Sequence, residues 1–474
     1  MNTTLTKIIR ASVVLLLVSA VSVAGEASAQ TRVYRLRRMV IVGDSLLAGF
    51  GSNGFVQFGR PGQVDSAPSW IARRAHVRLP QPLMERPGTP PQLQIVDDNG
   101  SGTLDRDEVR VTSSGIGFRV DPDVQVRNLA VPGEDTLSVF DKIAPEDVGG
   151  QIISGNVEGR DILKFLILGL PIKNGSVSQV SRAQDLHPSF IIVWLGNNDL
   201  LATATHTDPS AETLGAFEFG QRIRRLLFEL SSTGADMTIA NLPDPVGIAA
   251  LRRAAGEVTS CRLPDGTTAP VAADDLLSID LDRSLLPIPP CGKVLDASER
   301  AAIRDRVVAF NAQLAMAAQQ VETNQGIPIA VVDMFSRFDA LAANGVDLNG
   351  DGTPDLTTRY LGGIFSLDGI HPTKTGNALI ANEFISSINA RFGETIPSID
   401  VARVASRDPL AHSRFRPTGE VPFGLIGDSP ADDLENSLDD AFNRIERRAN
   451  RVGHKLERFF DRIGDFFDGF DRVL

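Results

Sequence analysis

Short apolar runs, each about as long as one strand, alternate along this chain with longer stretches whose apolar residues recur at helical spacing. The strand signals fall at residues 38–43, 124–129, 190–195, 236–240 and 327–332. Helical patterns lie at 211–232 (Phe217, Ile223, Leu226, Leu227), 297–322 (Ile303, Val307, Phe310, Leu314) and 374–391. A strand that is apolar at nearly every position must be covered on both faces, and a parallel sheet with helices on each side provides that. The alternation predicts an α/β domain, a doubly wound and mostly parallel sheet, over residues 33–395. Stretches rich in Gly, Pro and Asp at 55–122, 255–295 and 337–363 interrupt the pattern and read as insertions. After residue 395 the alternation stops; 396–430 reads as a linker and 431–474 as an amphipathic helix.

A chain of 474 residues is ample for a buried core. Its net charge of −12 lacks the basic footprint of a nucleic-acid binder, so no nucleic-acid partner is expected. Residues 1–29 carry Lys7 and Arg10, an apolar run from Ala11 to Ala24, and then Ala27-Ser28-Ala29. This is the pattern of a cleavable signal peptide, and the run is shorter than the ~20 residues of a spanning helix. A secreted or periplasmic location follows as an expectation. In an oxidising compartment the only two cysteines, Cys261 and Cys291, are expected to form a disulfide that pins the insertion around them.

The first chemistry lies at Gly43-Asp44-Ser45-Leu46, where a strand ends in a sharp turn. A Ser at the carboxyl end of such a strand sits at the sheet edge where α/β proteins place ligands, and its hydroxyl needs a base to become a nucleophile. Far downstream, Asp368-Gly369-Ile370-His371-Pro372-Thr373 puts a carboxylate and an imidazole three residues apart in one loop. That spacing lets the carboxylate orient the ring while the other ring nitrogen serves the Ser. With Asn128-Leu129-Ala130-Val131-Pro132-Gly133-Glu134-Asp135-Thr136 and Gly196-Asn197-Asn198-Asp199, these make four blocks in order. The sequence thereby resembles the GDSL or SGNH hydrolases over roughly residues 38–395.

The resemblance implies a flavodoxin-like three-layer α/β/α fold, with Ser45 as nucleophile, His371 as general base and Asp368 as its partner. It also implies an oxyanion hole from the backbone amides of Ser45 and Gly133 and the side-chain amide of Asn198. Asp44 and Asp199 read as turn and capping carboxylates. Phe55, Phe58, Trp70 and the run Pro80–Pro91 are candidates for a lid or acyl-binding wall, the alternative being a surface insertion without such a role.

Two acidic loops suggest structural calcium. Asp97, Asn99, Ser101, the Thr103 carbonyl, Asp105 and Glu108 stand at EF-hand ligand positions around Gly102, although the flanks look extended. Asp347, Asn349, Asp351 and Asp355 form a second loop resembling the shorter calcium loops of extracellular repeat proteins. A solvated acidic turn is the alternative for each. No cofactor is expected for catalysis. The stripe Leu434, Leu438, Phe442, Ile445, Leu456, Phe459, Ile463 and Phe466 leaves three uses open for the last helix. It could pack on its own domain, self-associate, or lie on a membrane or apolar substrate.

The expected function is that of an exported serine esterase or lipase acting through an acyl-serine, on a lipid or small-molecule ester. A polysaccharide acetyl esterase and a non-catalytic, calcium-stabilised surface binding protein are the alternatives.

Overall fold

The computed structural model describes residues 34–57, 60–96, 103–104, 109–111, 117–144, 148, 159–169, 176–205, 214–254, 258–277, 288–411 and 416–417. Residues 1–29 and 431–474, read as signal peptide and amphipathic helix, lie outside them. The central sheet contains β1 (Met39–Gly43), β2 (Phe190–Trp194), β3 (Asp236–Ala240) and β4 (Ile329–Val332), hydrogen-bonded in that order and all parallel. In β1 and β2 every residue is buried, as their unbroken apolar sequences require. Residues 124–129 run beside β1 as expected, but the pairing is irregular. Ile41 donates to the Arg127 carbonyl (2.9 Å), Leu129 to Ile41 (3.0 Å) and Val131 to Gly43 (3.0 Å), with one parallel bridge between Ile41 and Asn128.

Among the described residues the α-helices are α1 (Ser45–Ala48), α2 (Ala67–Arg74), α3 (Gly159–Lys164), α4 (Gln179–Asp185), α5 (Asn197–Thr205), α6 (Ala216–Ser231), α7 (Ala297–Gln325), α8 (Met334–Asn344), α9 (Lys374–Phe392) and α10 (Val401–Ala405). Helix α7 starts at a capping box, in which Asp296 accepts the Ser298 and Glu299 amides while Glu299 accepts that of Asp296. It packs along α6, where Phe219 and Phe310 stack at 4.3 Å. No helix among the described residues is long and apolar enough to cross a membrane.

Three boundaries differ from the sequence reading. The stretch 55–122 is not only surface: α2 lies within it and packs on α9, with Ala67, Ile71 and Ala72 in the main core. The stretch 337–363 begins inside α8, whose Met334 and Leu341 are buried. The domain also continues past residue 395, through buried Ile396, Ile399, Val404 and Leu410. Asparagine side chains on α9 bind that extension like a strand edge: Asn389 exchanges hydrogen bonds with Ile396 (2.8 and 2.9 Å), and Asn382 with Ile399 (3.0 and 2.7 Å). Cys261 and Cys291 are bridged, closing a loop 30 residues long around a small core of Ala254, Val258, Leu277 and Val294.

Candidate active site

Ser45 is the first residue of α1, directly after β1, and is nearly buried. Its local geometry is set by Asp44, whose side chain caps the helix by accepting the Leu46 amide (3.0 Å) and also takes the Asn197 side-chain amide (2.8 Å). As the first helical residue, Ser45 has an N–H that no helical carbonyl can satisfy, which leaves it available to an anion. Burial pushes the Asp44 carboxyl up to about 6, partly offset by the Asn197 and Leu46 donors and by the field of His371.

His371 and Asp368 come from one loop, and the expected pairing is present: Nδ1 of His371 lies 2.9 Å from Oδ2 of Asp368. The buried carboxylate also accepts the backbone amides of Asn53 (2.8 Å), Ile370 (2.9 Å) and His371 (2.8 Å), and the Ser366 hydroxyl (3.1 Å). Burial alone would raise its pKa; the facing His371 ring and those donors outweigh it and hold the group at about 2. With the carboxylate on Nδ1, Nε2 is the free, basic nitrogen. The Phe50 ring packs edge-on against the imidazole at 4.9 Å and limits its swing. The turn requires glycine at 369, where φ is +69° and a Cβ would lie 2.7 Å from the Ala250 nitrogen.

Gly133 also has a left-handed backbone, with φ of +81°, in a loop anchored to β1 through Val131. Asn198, on the first turn of α5, donates Nδ2 to the Glu134 carbonyl (2.7 Å), leaving its second N–H available. Asp199 accepts both the amide (3.0 Å) and the hydroxyl (2.6 Å) of Thr136, tying the same two segments together. Burial raises its pKa. The second and third sequence blocks are thus one hydrogen-bonded unit beside the first.

A cavity of about 260 Å³ opens at Ser45 and Asn198. Ile370 and Pro372, which flank His371 in sequence, form part of its wall. The remaining surface is largely apolar, including Leu200, Val246, Ile248, Phe338 and Phe365. This wall corrects the sequence expectation. Phe55 is buried in the main core, edge-on to Phe50, and Trp70 lies under the Arg73 guanidinium (4.0 Å); neither lines the cavity. Phe58 lies outside the described residues. The sequence reading also missed Gln179, Lys164 and the role of the Glu134 side chain. Lys164 Nζ lies 2.8 Å from the Glu134 carboxylate, both fully buried, and burial pushes that carboxyl up to about 7 despite the ammonium.

Of the expected calcium ligands, Asp97, Asn99, Ser101, Asp105 and Glu108 lie outside the described residues, and Thr103 belongs to a two-residue strand paired with Arg416–Pro417. Asp347, Asn349, Asp351 and Asp355 occupy one exposed loop closed by pairing of Val346 with Leu356. There the Asp347 carboxylate accepts the Gly350 and Gly352 amides (both 2.7 Å), and Asp355 accepts that of Leu348 (2.7 Å). Among the described residues no group of three or more His, Cys, Asp or Glu side chains is arranged to hold a metal ion.

Residues 39–384 match the family model of the GDSL-like lipases and acylhydrolases, and the chain belongs to that family. It is accordingly a carboxylic ester hydrolase. Distant structural likenesses include LAE5, an α/β hydrolase enzyme from the metagenome of Lake Arreo, at 12% identity over 74% of this chain and 93% of that one, with a TM-score of 0.31. Another is a variant of Axe2, an acetyl xylan esterase from Geobacillus stearothermophilus, at 10% identity over 74% and 93%, with a TM-score of 0.30. No curated protein matches the chain.

Proposed function

We propose that the protein is an exported serine esterase that cleaves esters of apolar acyl chains through an acyl-Ser45 intermediate. The supporting observation is the Asp368–His371 pair at 2.9 Å, beside an apolar cavity that opens at Ser45. His371 Nε2 removes the Ser45 proton as Oγ attacks the ester carbonyl carbon. Asp368 keeps Nδ1 protonated and balances the imidazolium that forms. The carbonyl oxygen gains charge and is met by the N–H groups of Ser45, Gly133 and Asn198, which are neutral donors. Collapse of the tetrahedral intermediate expels the alcohol with the proton from His371, and a water activated by the same nitrogen then releases the acid.

The apolar wall favours a longer acyl chain over acetyl. Burial of each methylene contributes about 0.8 kcal/mol, or roughly fourfold in kcat/KM. A series of p-nitrophenyl esters should therefore gain up to about fourfold per methylene beyond acetyl until the cavity is filled. A maximum at acetyl would instead select the polysaccharide acetyl esterase. Unchanged turnover by Ser45→Ala would remove the serine mechanism.

A further inference from the structure

We propose that Gln179, held in place by the buried Glu134–Lys164 ion pair, is a positioning residue that locks the nucleophile-bearing strand end to the loop supplying the oxyanion donors. The inference rests on the serine-esterase reading. Gln179 opens α4 and is fully buried. Its amide oxygen accepts the Gly43 N–H (2.9 Å), and its nitrogen donates to the Gly43 carbonyl (2.9 Å) and to the Glu134 carboxylate (3.1 Å). One planar side chain thus grips, from both backbone groups, the residue two before Ser45, and joins it to the residue directly after Gly133.

Glu134 holds the second half of the clamp. Its carbonyl accepts the Asn198 amide (2.7 Å), so its position bears on both donors taken from outside α1. Its carboxylate is fixed by Lys164, whose ammonium also reaches the carbonyls of Ser138 (2.8 Å) and Asp141 (3.3 Å). A buried ion pair is seldom more stabilising than apolar residues of the same size, so stability alone does not account for it. What it supplies here is direction: a fixed acceptor that sets the rotation of the Gln179 amide. Oxyanion catalysis is sensitive to such placement, since a misplacement of ~1 Å can cost about 100-fold.

The test is kcat measured per reactive serine, titrated with a p-nitrophenyl alkylphosphonate, so that misfolded protein does not count. Gln179→Leu is expected to lower kcat at least tenfold while KM stays within twofold. Glu134→Leu combined with Lys164→Met removes the ion pair without leaving a lone buried charge. It is expected to keep the melting temperature within a few degrees and to lower kcat at least fivefold. Should Gln179→Leu fail to fold, the double variant decides. A structural role alone would move the melting temperature and leave kcat per titrated site unchanged, and that result overturns the proposal. Ser45→Ala separates the two levels. If it still hydrolyses esters, the serine reading itself fails; if it is inactive while the clamp variants turn over normally, only the clamp is wrong.

Discussion

Replacing Asp368 by Asn keeps the shape of the side chain and removes its charge, which makes it the most informative single change in the loop. The two carboxylate oxygens divide their work. Oδ1 accepts the amides of Ile370 and His371 and the Ser366 hydroxyl; Oδ2 accepts the Asn53 amide and faces His371 Nδ1. An asparagine oxygen can serve only one side, and the more numerous backbone donors favour the first. Its NH₂ would then point at His371 Nδ1, which must give up its proton to accept. The imidazole would carry its hydrogen on Nε2, facing Ser45 as a donor instead of a base. In serine hydrolases of unrelated fold this error of tautomer costs about 10⁴ in kcat, or roughly 5 kcal/mol.

The same carboxylate also contributes to stability. Its pKa is held at about 2 against an ordinary 3.8, which corresponds to about 2 kcal/mol. Because the folded value is the lower one, that stabilisation is complete above the unfolded value and is lost as pH falls through about 2. Steady-state hydrolysis of p-nitrophenyl butyrate at pH 8, with thermal melts at pH 7 and pH 3, reads both effects. Asp368→Asn should lose about three to four decades of kcat, and its stability deficit should shrink at the lower pH. A folded variant within tenfold of wild type would refute the assigned role of Asp368.

Asn198→Ala removes one expected oxyanion donor and should lower kcat about 10²- to 10³-fold with KM little changed, as read from full saturation curves. Asp44 and Glu134 have carboxyls raised to about 6 and about 7 by burial, so ionising them costs the fold stability as pH climbs from about 4 to 7. Asp44→Asn should therefore flatten the decline in unfolding free energy over that range, by about 3 kcal/mol in urea titrations at its two ends. Replacing both cysteines by Ser should weaken the bridged insertion by about 3 to 4 kcal/mol in the chain-entropy estimate, while kcat below the melting range stays unchanged. Loss of activity in that folded variant would mean that the bridge also shapes the catalytic cavity.

Local patterns carried much of this molecule. The core strands β1 and β2 are unbroken apolar runs, and Asp368 meets His371 because three residues of one turn suffice to bring them together. The cavity wall was not legible, because Leu200, Ile248, Phe338 and Phe365 come from four separate segments without a shared period. Residues 396–411 read as linker because the strand and helix alternation stops at 395, yet Asn382 and Asn389 on the preceding helix bind their backbone. Gln179 belongs to no motif. Its role exists only because α4 delivers it to Gly43, and no spacing along the chain announces that meeting.

Mass spectrometry of the protein after reaction with a fluorophosphonate tests the nucleophile most directly. One adduct is expected per chain, on the peptide containing Ser45, with hydrolysis lost in proportion to labelling. An adduct on any other residue, or full hydrolysis by protein labelled at Ser45, would contradict the assignment.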